Sequence, residues 1–318
     1  TQWSLRRPIY SLRQAPREWH DTLRTTLATL GFAPSTADPS LFLRIDTSLP
    51  PFYVLVYVDD LVFATTDTEA LTLVKLELQK RHTCTDLGEL RSYLGLQITR
   101  DRARRTITLT QSHMVHQILQ RFGFQFSSPQ PTPLSTSHSL SAPPSDESVE
   151  PSGLYPELVC CFITSGMGLV LGGRGPGYTF GLGSGSISWR STFSSSVLGS
   201  SCEAEIYAGA MAAQELRWLT YLLTGLGEQP RSPLVLYVDN KAMIALCQEH
   251  RLEHRTKHIA LQYLLARELQ QRGQLRLAYV AIRANTADVF TKALPSGDHQ
   301  GFATLLGLVP TLPHLLTA

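Results

Sequence analysis

A chain of 318 residues, 43% of them hydrophobic, is long enough to bury two ordinary cores, so two domains joined by a linker are expected. The formal net charge is only +2, which excludes a nucleic-acid role argued from bulk charge and leaves local clusters to carry one. Five cysteines without a Cys-x-x-Cys spacing exclude a disulfide framework and read as free thiols in a reduced, intracellular protein.

The sequence opens on Thr1 with no signal peptide, which reads as a piece of a polyprotein or a truncated coding sequence. The longest apolar run, Leu158 to Leu171, contains two glycines and falls short of a membrane span. The first predicted helix is Pro16 to Leu30, with Trp19, Leu23, Leu27 and Leu30 on one face and Gly31 as its stop. Phe52 to Thr65, FYVLVYVDDLVFAT, reads as a β-hairpin whose turn holds Asp59 and Asp60. Neighbouring strand residues point to opposite faces, so two consecutive carboxylates serve one site only where the backbone turns. Such a pair repels itself, and a bound Mg²⁺ is the usual means of offsetting that; a solvated Asp-Asp turn is the alternative.

Thr68 to Arg81 reads as a second amphipathic helix with Leu71, Val74 and Leu78 inward. Tyr93 to Thr99 and Thr106 to Thr110 read as strands around the basic turn Arg100 to Arg105. Arg102 and Arg104 in that turn are candidates for phosphate contacts, against the reading of a solvated charge run. Gln111 to Phe122 is a predicted helix closed by Gly123. From Ser127 to Gly153 the composition turns to Ser and Pro and reads as a linker.

In the second half, Gly177 to Thr192 reads as a pair of strands with glycine turns, and Ser200 to Leu223 as a long helix. Glu203 and Glu205 lie in its first turns, where the helix dipole favours anions whatever else they do. Leu234 to Leu246 reads as a buried strand ending at Asp239 and leading into a helix. Asp239 then stands either at the ligand crevice of an open α/β sheet or as the cap of the following helix. His254 and His258 have helical i, i+4 spacing, but no Cys or Glu lies nearby at zinc-site spacing.

Three segments of the first half, Ser11 to Trp19, Tyr57 to Asp60 and Tyr93 to Leu96, stand in the order and at the spacing of the reverse transcriptase of copia-type retrotransposons, and this half resembles it. Five segments of the second half resemble the ribonuclease H domain of the same elements: Gly185 to Trp189, Ser200 to Tyr207, Tyr237 to Asn240, Arg255 to Ile259 and Ala287 to Lys292. The resemblance implies an α+β chain: partial palm and start of a thumb over 1–126, linker 127–153, contracted connection 154–176, partial ribonuclease H-like α/β domain 177–295 without its first strand, and tail 296–318.

It also implies roles. Asp59 and Asp60 would be polymerase carboxylates, and Glu205, Asp239 and Asp288 three of the four ribonuclease H carboxylates, with Glu203 in reserve for Glu205; each complete site holds two Mg²⁺ or Mn²⁺ ions. Arg13 and Gln14 would lie beside template and incoming nucleotide, Leu94 and Gly95 in the element that grips the primer, and Arg255 and Lys257 against the hybrid backbone. The implied partners are RNA template, DNA primer, RNA/DNA hybrid and other Pol polyprotein fragments, in the cytoplasm within a virus-like particle or in the nucleus.

The sequence departs from the family in two places. The first polymerase carboxylate belongs to a strand ahead of Ser11, and no Asp or Glu occurs from Leu158 to Ser201, where the first ribonuclease H strand is expected. Three readings follow: an inactive remnant, an enzyme completed in trans, or a nucleic-acid binding module without chemistry. The lost strand also leads to the expectation of a poorly folded second domain.

Overall fold

The computed structural model describes residues 14–128, 130–133, 177–191, 201–230, 233–248 and 262–309. They form a mixture of helices and mainly antiparallel strands, of α+β character, in two compact units: Thr1–Leu90 with Trp218–Pro230, and Arg91–Arg217 with Arg231–Ala318.

In the first unit, α1 (Ala15–Thr29) carries proline in its first turn, where a missing N–H costs nothing, and ends at Gly31 with φ +84°. Four strands follow, β1 (Phe32–Pro34), β2 (Leu41–Arg44), β3 (Phe52–Tyr57) and β4 (Asp60–Thr65), paired in that order and all antiparallel. Alternation along β3 sends Phe52, Val54 and Val56 into the core and leaves Tyr53 and Leu55 half-buried. α2 spans Thr68–Arg81, as its apolar period predicts. Leu23 and Leu27 of α1, Phe32, Phe42, the three β3 residues, and Val74 and Leu78 of α2 make one core. Each such side chain contributes about 1.5–3 kcal/mol of burial free energy.

The second helix is tied down at its start. Asp67 caps it, one carboxylate oxygen accepting the Ala70 N–H at 3.0 Å and the other meeting Arg44 of β2 at 3.0 Å. These contacts, the backbone one first, hold its carboxyl below the usual range. The first unit is also discontinuous in sequence, for the Tyr53 hydroxyl donates to the Leu226 carbonyl at 2.7 Å.

In the second unit, β5 (Ser92–Tyr93), β6 (Leu96–Asp101) and β7 (Thr106–Thr110) form an antiparallel sheet. The continuous strand expected from Tyr93 to Thr99 is corrected here. Tyr93 pairs with Leu96, and Leu94 (φ +49°) and Gly95 (φ +80°) make the two-residue turn between them. A two-residue hairpin turn of this type sets both central residues at positive φ, and Leu94 accepts it beside a glycine that adopts it freely. α3 (Ser112–Arg121) follows, and Gly123 closes it: the Gly123 N–H donates to Gln120 O and the Phe124 N–H to Leu119 O. No residue of β5 to β7 or of α3 is buried.

The rest of this unit comprises the hairpin β8 (Gly177–Leu182) and β9 (Gly185–Ser191), α4 (Ser201–Gly225), whose last residues count with the first unit, β10 (Leu234–Val238), α5 (Lys241–Gln248), α6 (Gln262–Gln271), β11 (Leu275–Tyr279), a 3-10 turn at Thr286–Phe290, and α7 (Ser296–Leu305). β10 and β11 pair in parallel, and among the described residues this pair and the β8–β9 hairpin are separate sheets. They nevertheless share a core: Tyr178 of β8 packs with Ile206, Ala212 and Ala213 of α4, Leu236 and Val238 of β10, and Met243 and Cys247 of α5. At Gly209 of α4 a Cβ would collide with the Met243 side chain, so that helix meets α5 closely because it carries no side chain there.

Burial pushes the Cys247 thiol up to about 11, whereas Cys84 is exposed. The thiolate is the reactive form. Alkylation of the native chain with iodoacetamide at mildly alkaline pH, mapped by peptide mass, is therefore expected to label Cys84 and spare Cys247 until denaturant is added. Equal labelling of both without denaturant would mean that the second core does not form.

Candidate functional site

Among the described residues, two places bring predicted acidic site residues together. The first is the tip of the β3–β4 hairpin. Tyr57 pairs with Asp60, so the two-residue turn consists of Val58 and Asp59, and Asp60 is already the first residue of β4. The expectation that both aspartates sit within the turn is corrected to that extent. Val58 has φ +52°, a region that a β-branched residue adopts only at a cost of about 1–3 kcal/mol. What holds it is Trp19: the indole N–H donates to the Val58 carbonyl at 2.7 Å, across from α1. Trp19 is itself placed by an edge-on contact with His82, ring centroids 5.3 Å apart, and that ring meets the Thr26 hydroxyl at 3.1 Å. Helix, turn and the end of α2 thus form one connected set, and the exposed Asp59 and Asp60 stand at its edge.

The second place lies beyond the end of β10. Asn240, not Asp239, caps α5, its side-chain oxygen accepting the Met243 N–H at 3.1 Å. Of the two readings of Asp239, capping is therefore set aside, and its carboxylate faces another element. Asp288, in the 3-10 turn started by Asn285, comes to the same point. Lys292 joins them, its ammonium 2.8 Å from Asp288 Oδ1 and 3.8 Å from Asp239 Oδ2. The aspartate side chains are 9% and 6% exposed for Asp239 and Asp288, and the lysine 43%. Burial pushes the Asp288 carboxyl up, the Lys292 hydrogen bond and charge oppose this, and the charge of Asp239 adds to the rise.

The donor sets decide whether a divalent metal fits. Among the described residues no group of three or more His, Cys, Asp or Glu side chains converges. At the hairpin two exposed carboxylates are open to water. At the second place the ammonium is already bonded to one carboxylate and close to the other, so a metal fits only if Lys292 leaves.

The other predicted residues divide plainly. Glu203 and Glu205 lie in the first turns of α4, with side chains outside the described residues. Gln14 is exposed at the start of α1 and makes no capping bond. Leu94 and Gly95 are the turn residues described above. Arg102 and Arg104 are exposed in the β6–β7 turn, which Asp101 shapes by accepting the Arg104 N–H at 2.9 Å. Arg13, the 254–259 segment with Arg255 and Lys257, and most of the 127–153 linker lie outside the described residues. Sequence reasoning gave no contact to two side chains that the structure brings to these places. Trp19 stands in the sequence on an apolar face and at the end of a family segment, and neither reading includes its bond, although a Trp N–H near a buried surface needs a partner. Lys292 stands four residues after Asp288, a spacing that brings opposite charges together within a helical turn.

Residues 1–136 match the family described as reverse transcriptase (RNA-dependent DNA polymerase). The chain is 30% identical over 370 residues to the retrovirus-related Pol polyprotein from transposon RE2 of Arabidopsis thaliana, covering 97% of this chain and 25% of that protein. It is 28% identical to that from transposon RE1 of the same plant, with the same coverage, and 25% identical to that from transposon TNT 1-94 of Nicotiana tabacum, covering 96% of this chain and 28% of the relative. The chain spans about a quarter of the length of these relatives. An alignment of 370 positions with a chain of 318 residues leaves at least 52 at which the first relative has a residue and this chain has none. No solved structure matches the chain.

The Trp19 bond makes a prediction about the turn. Trp19→Phe keeps the apolar contact and removes the donor, so amide hydrogen exchange at residues 57–61 is expected to accelerate while protection of α1 stays near that of the unsubstituted chain. Unchanged exchange in the turn would mean that the indole does not hold it.

Proposed function

We propose, because this chain belongs to the Pol polyproteins of copia-type retrotransposons, that it carries the palm hairpin of an RNA-directed DNA polymerase followed by a ribonuclease H-like segment, and that it completes neither catalytic centre by itself. The observation that carries the reading is the meeting of Asp239 and Asp288, supplied by a strand end and a distant turn, in a chain that also presents Asp59 and Asp60 at a held hairpin tip.

A pair of divalent ions held by these carboxylates would supply charge stabilisation to phosphoryl transfer that the protein's own groups do not. For that the carboxylates must come from several elements. Here Asp59 and Asp60 come from one turn and Asp239 and Asp288 form a pair, with Glu205 as the further carboxylate of the second centre. The role of this chain's own residues is then positional: α1 and Trp19 fix the hairpin tip, and β10 with the 3-10 turn fixes the acidic pair. Domain limits at 126, 153, 176 and 295 belong to the same proposal. So do the partners, which are RNA template, DNA primer, RNA/DNA hybrid and further Pol fragments able to complete either centre in trans. The proposed setting is a cytoplasmic particle or the nucleus. Among the described residues no helix is long and apolar enough to cross a membrane.

A labelled RNA template annealed to a shorter labelled DNA primer, with Mg²⁺ and deoxynucleotides, tests the reading when both strands are sized. Neither strand is expected to change with this chain, while an intact relative lengthens the primer and shortens the RNA. A change with this chain that Asp59→Asn or Asp239→Asn abolishes would show a completed centre and overturn the proposal.

The exposed arginines of the β6–β7 turn favour a second reading, a module that binds nucleic acid without chemistry. Affinity for RNA/DNA hybrid is then expected to fall steeply with salt, to survive both Asp→Asn changes, and to lose about one unit of log–log salt slope for each phosphate-contacting arginine replaced by glutamine. No binding at low salt would eliminate it.

A further inference from the structure

We propose that Lys292 is the resident cation of the Asp239–Asp288 pair: its ammonium takes the place between the carboxylates that a divalent metal would need, and so closes this site to Mg²⁺ and Mn²⁺ until the lysine swings out. The metal half of this inference rests on the ribonuclease H-like reading above; the ion pair does not.

Two carboxylates turned toward one point and almost withdrawn from water repel each other with little solvent to screen them, so an opposite charge has to stand between or beside them. The chain supplies that charge locally. Lys292 follows Asp288 by four residues, its backbone N–H donates to the Asp288 carbonyl at 2.9 Å, and its ammonium reaches Asp288 Oδ1 at 2.8 Å and lies 3.8 Å from Asp239 Oδ2. The nearby lysine on the strand side, Lys241, is used elsewhere, with its ammonium 4.7 Å from the centre of the Tyr279 ring. A turn of chain thus delivers both an acid and its counter-ion to the end of β10.

Lysine also makes the arrangement reversible. Its ammonium sits on a flexible four-carbon stem and makes point contacts, where arginine would lock both carboxylates in a planar fork. The side chain keeps 43% of its surface exposed, so its route back to water is open while the two aspartates stay covered. Metal and lysine then compete for one place. The apparent metal affinity falls in proportion to the fraction of time the lysine is absent, and a lysine present nine-tenths of the time weakens it about tenfold.

Mn²⁺ is the probe, used on the full chain. With the unsubstituted protein, adding Mn²⁺ is expected to leave the amide resonances around Asp239 and Asp288 unbroadened at concentrations where Lys292→Ala binds one ion. The variant should bind Mn²⁺ at least about tenfold more tightly by calorimetric titration. It should also regain, on adding Mn²⁺, thermal stability lost with the lysine, and Asp239→Asn in the same chain should abolish both effects. Broadening at the pair in the unsubstituted chain at the concentration that saturates a folded Lys292→Ala chain, or Lys292→Met where the alanine variant does not fold, overturns the inference and leaves the metal-site reading standing. A folded Lys292→Ala chain that binds no Mn²⁺ overturns the metal-site reading and the inference with it.

Discussion

The hydrogen bond from the Trp19 indole to the Val58 carbonyl is the contact on which the first acidic place depends. A two-residue turn that sets a β-branched residue at φ +52° is unfavourable. Nothing within the hairpin offsets this, because β3 and β4 are occupied with the core on one side and with each other along their length. The compensation comes from α1, which is anchored through Leu23 and Leu27 and so carries Trp19 as a fixed donor. The second acidic place faces a different, electrostatic problem, two carboxylates almost withdrawn from water. There the offsetting charge belongs to the segment that brings the acid, and no helix from elsewhere has to be in position first.

The contrast explains what was legible in the sequence. α2 and the two strands of the β3–β4 hairpin lie where their patterns put them, since apolar period and alternating Val, Phe and Tyr are local signals. The pairing of Asp239 with Asp288 was legible only through resemblance, because the two belong to segments with no local signal in common. The turn at Leu94 and Gly95 was hidden by its first residue: leucine is a poor indicator of positive φ, and a run of Tyr, Leu, Gly and Leu reads as strand. At the end of β10 the capping reading of Asp239 fails because its neighbour Asn240 accepts the Met243 N–H, which leaves Asp239 to face Lys292.

The second unit shows what a short sheet needs. A two-stranded ribbon is marginal in water, and the described residues of this unit form two of them. They are made stable by facing one core, into which α4 brings Ile206, two alanines and Leu216 and α5 brings Met243 and Cys247. The β5–β7 sheet has no such support among its own residues: Ile107, Leu109 and Leu94 are exposed along it. Burial thus varies sharply along this chain, and resistance to local opening is expected to vary with it.

The bond between the Tyr53 hydroxyl and the Leu226 carbonyl joins residues 173 positions apart within the first unit. During synthesis, at about 5–20 residues per second, the hairpin therefore waits roughly 9–35 s for the carbonyl that its tyrosine will meet. The helices and strands near the start of the chain mature early, but their unit closes late, after much of the following chain has emerged. Contacts of this span slow the final step of folding and prolong the exposure of apolar surface on the ribosome. The order of translation, and not only the finished set of contacts, thus bears on how much of this protein reaches its folded state.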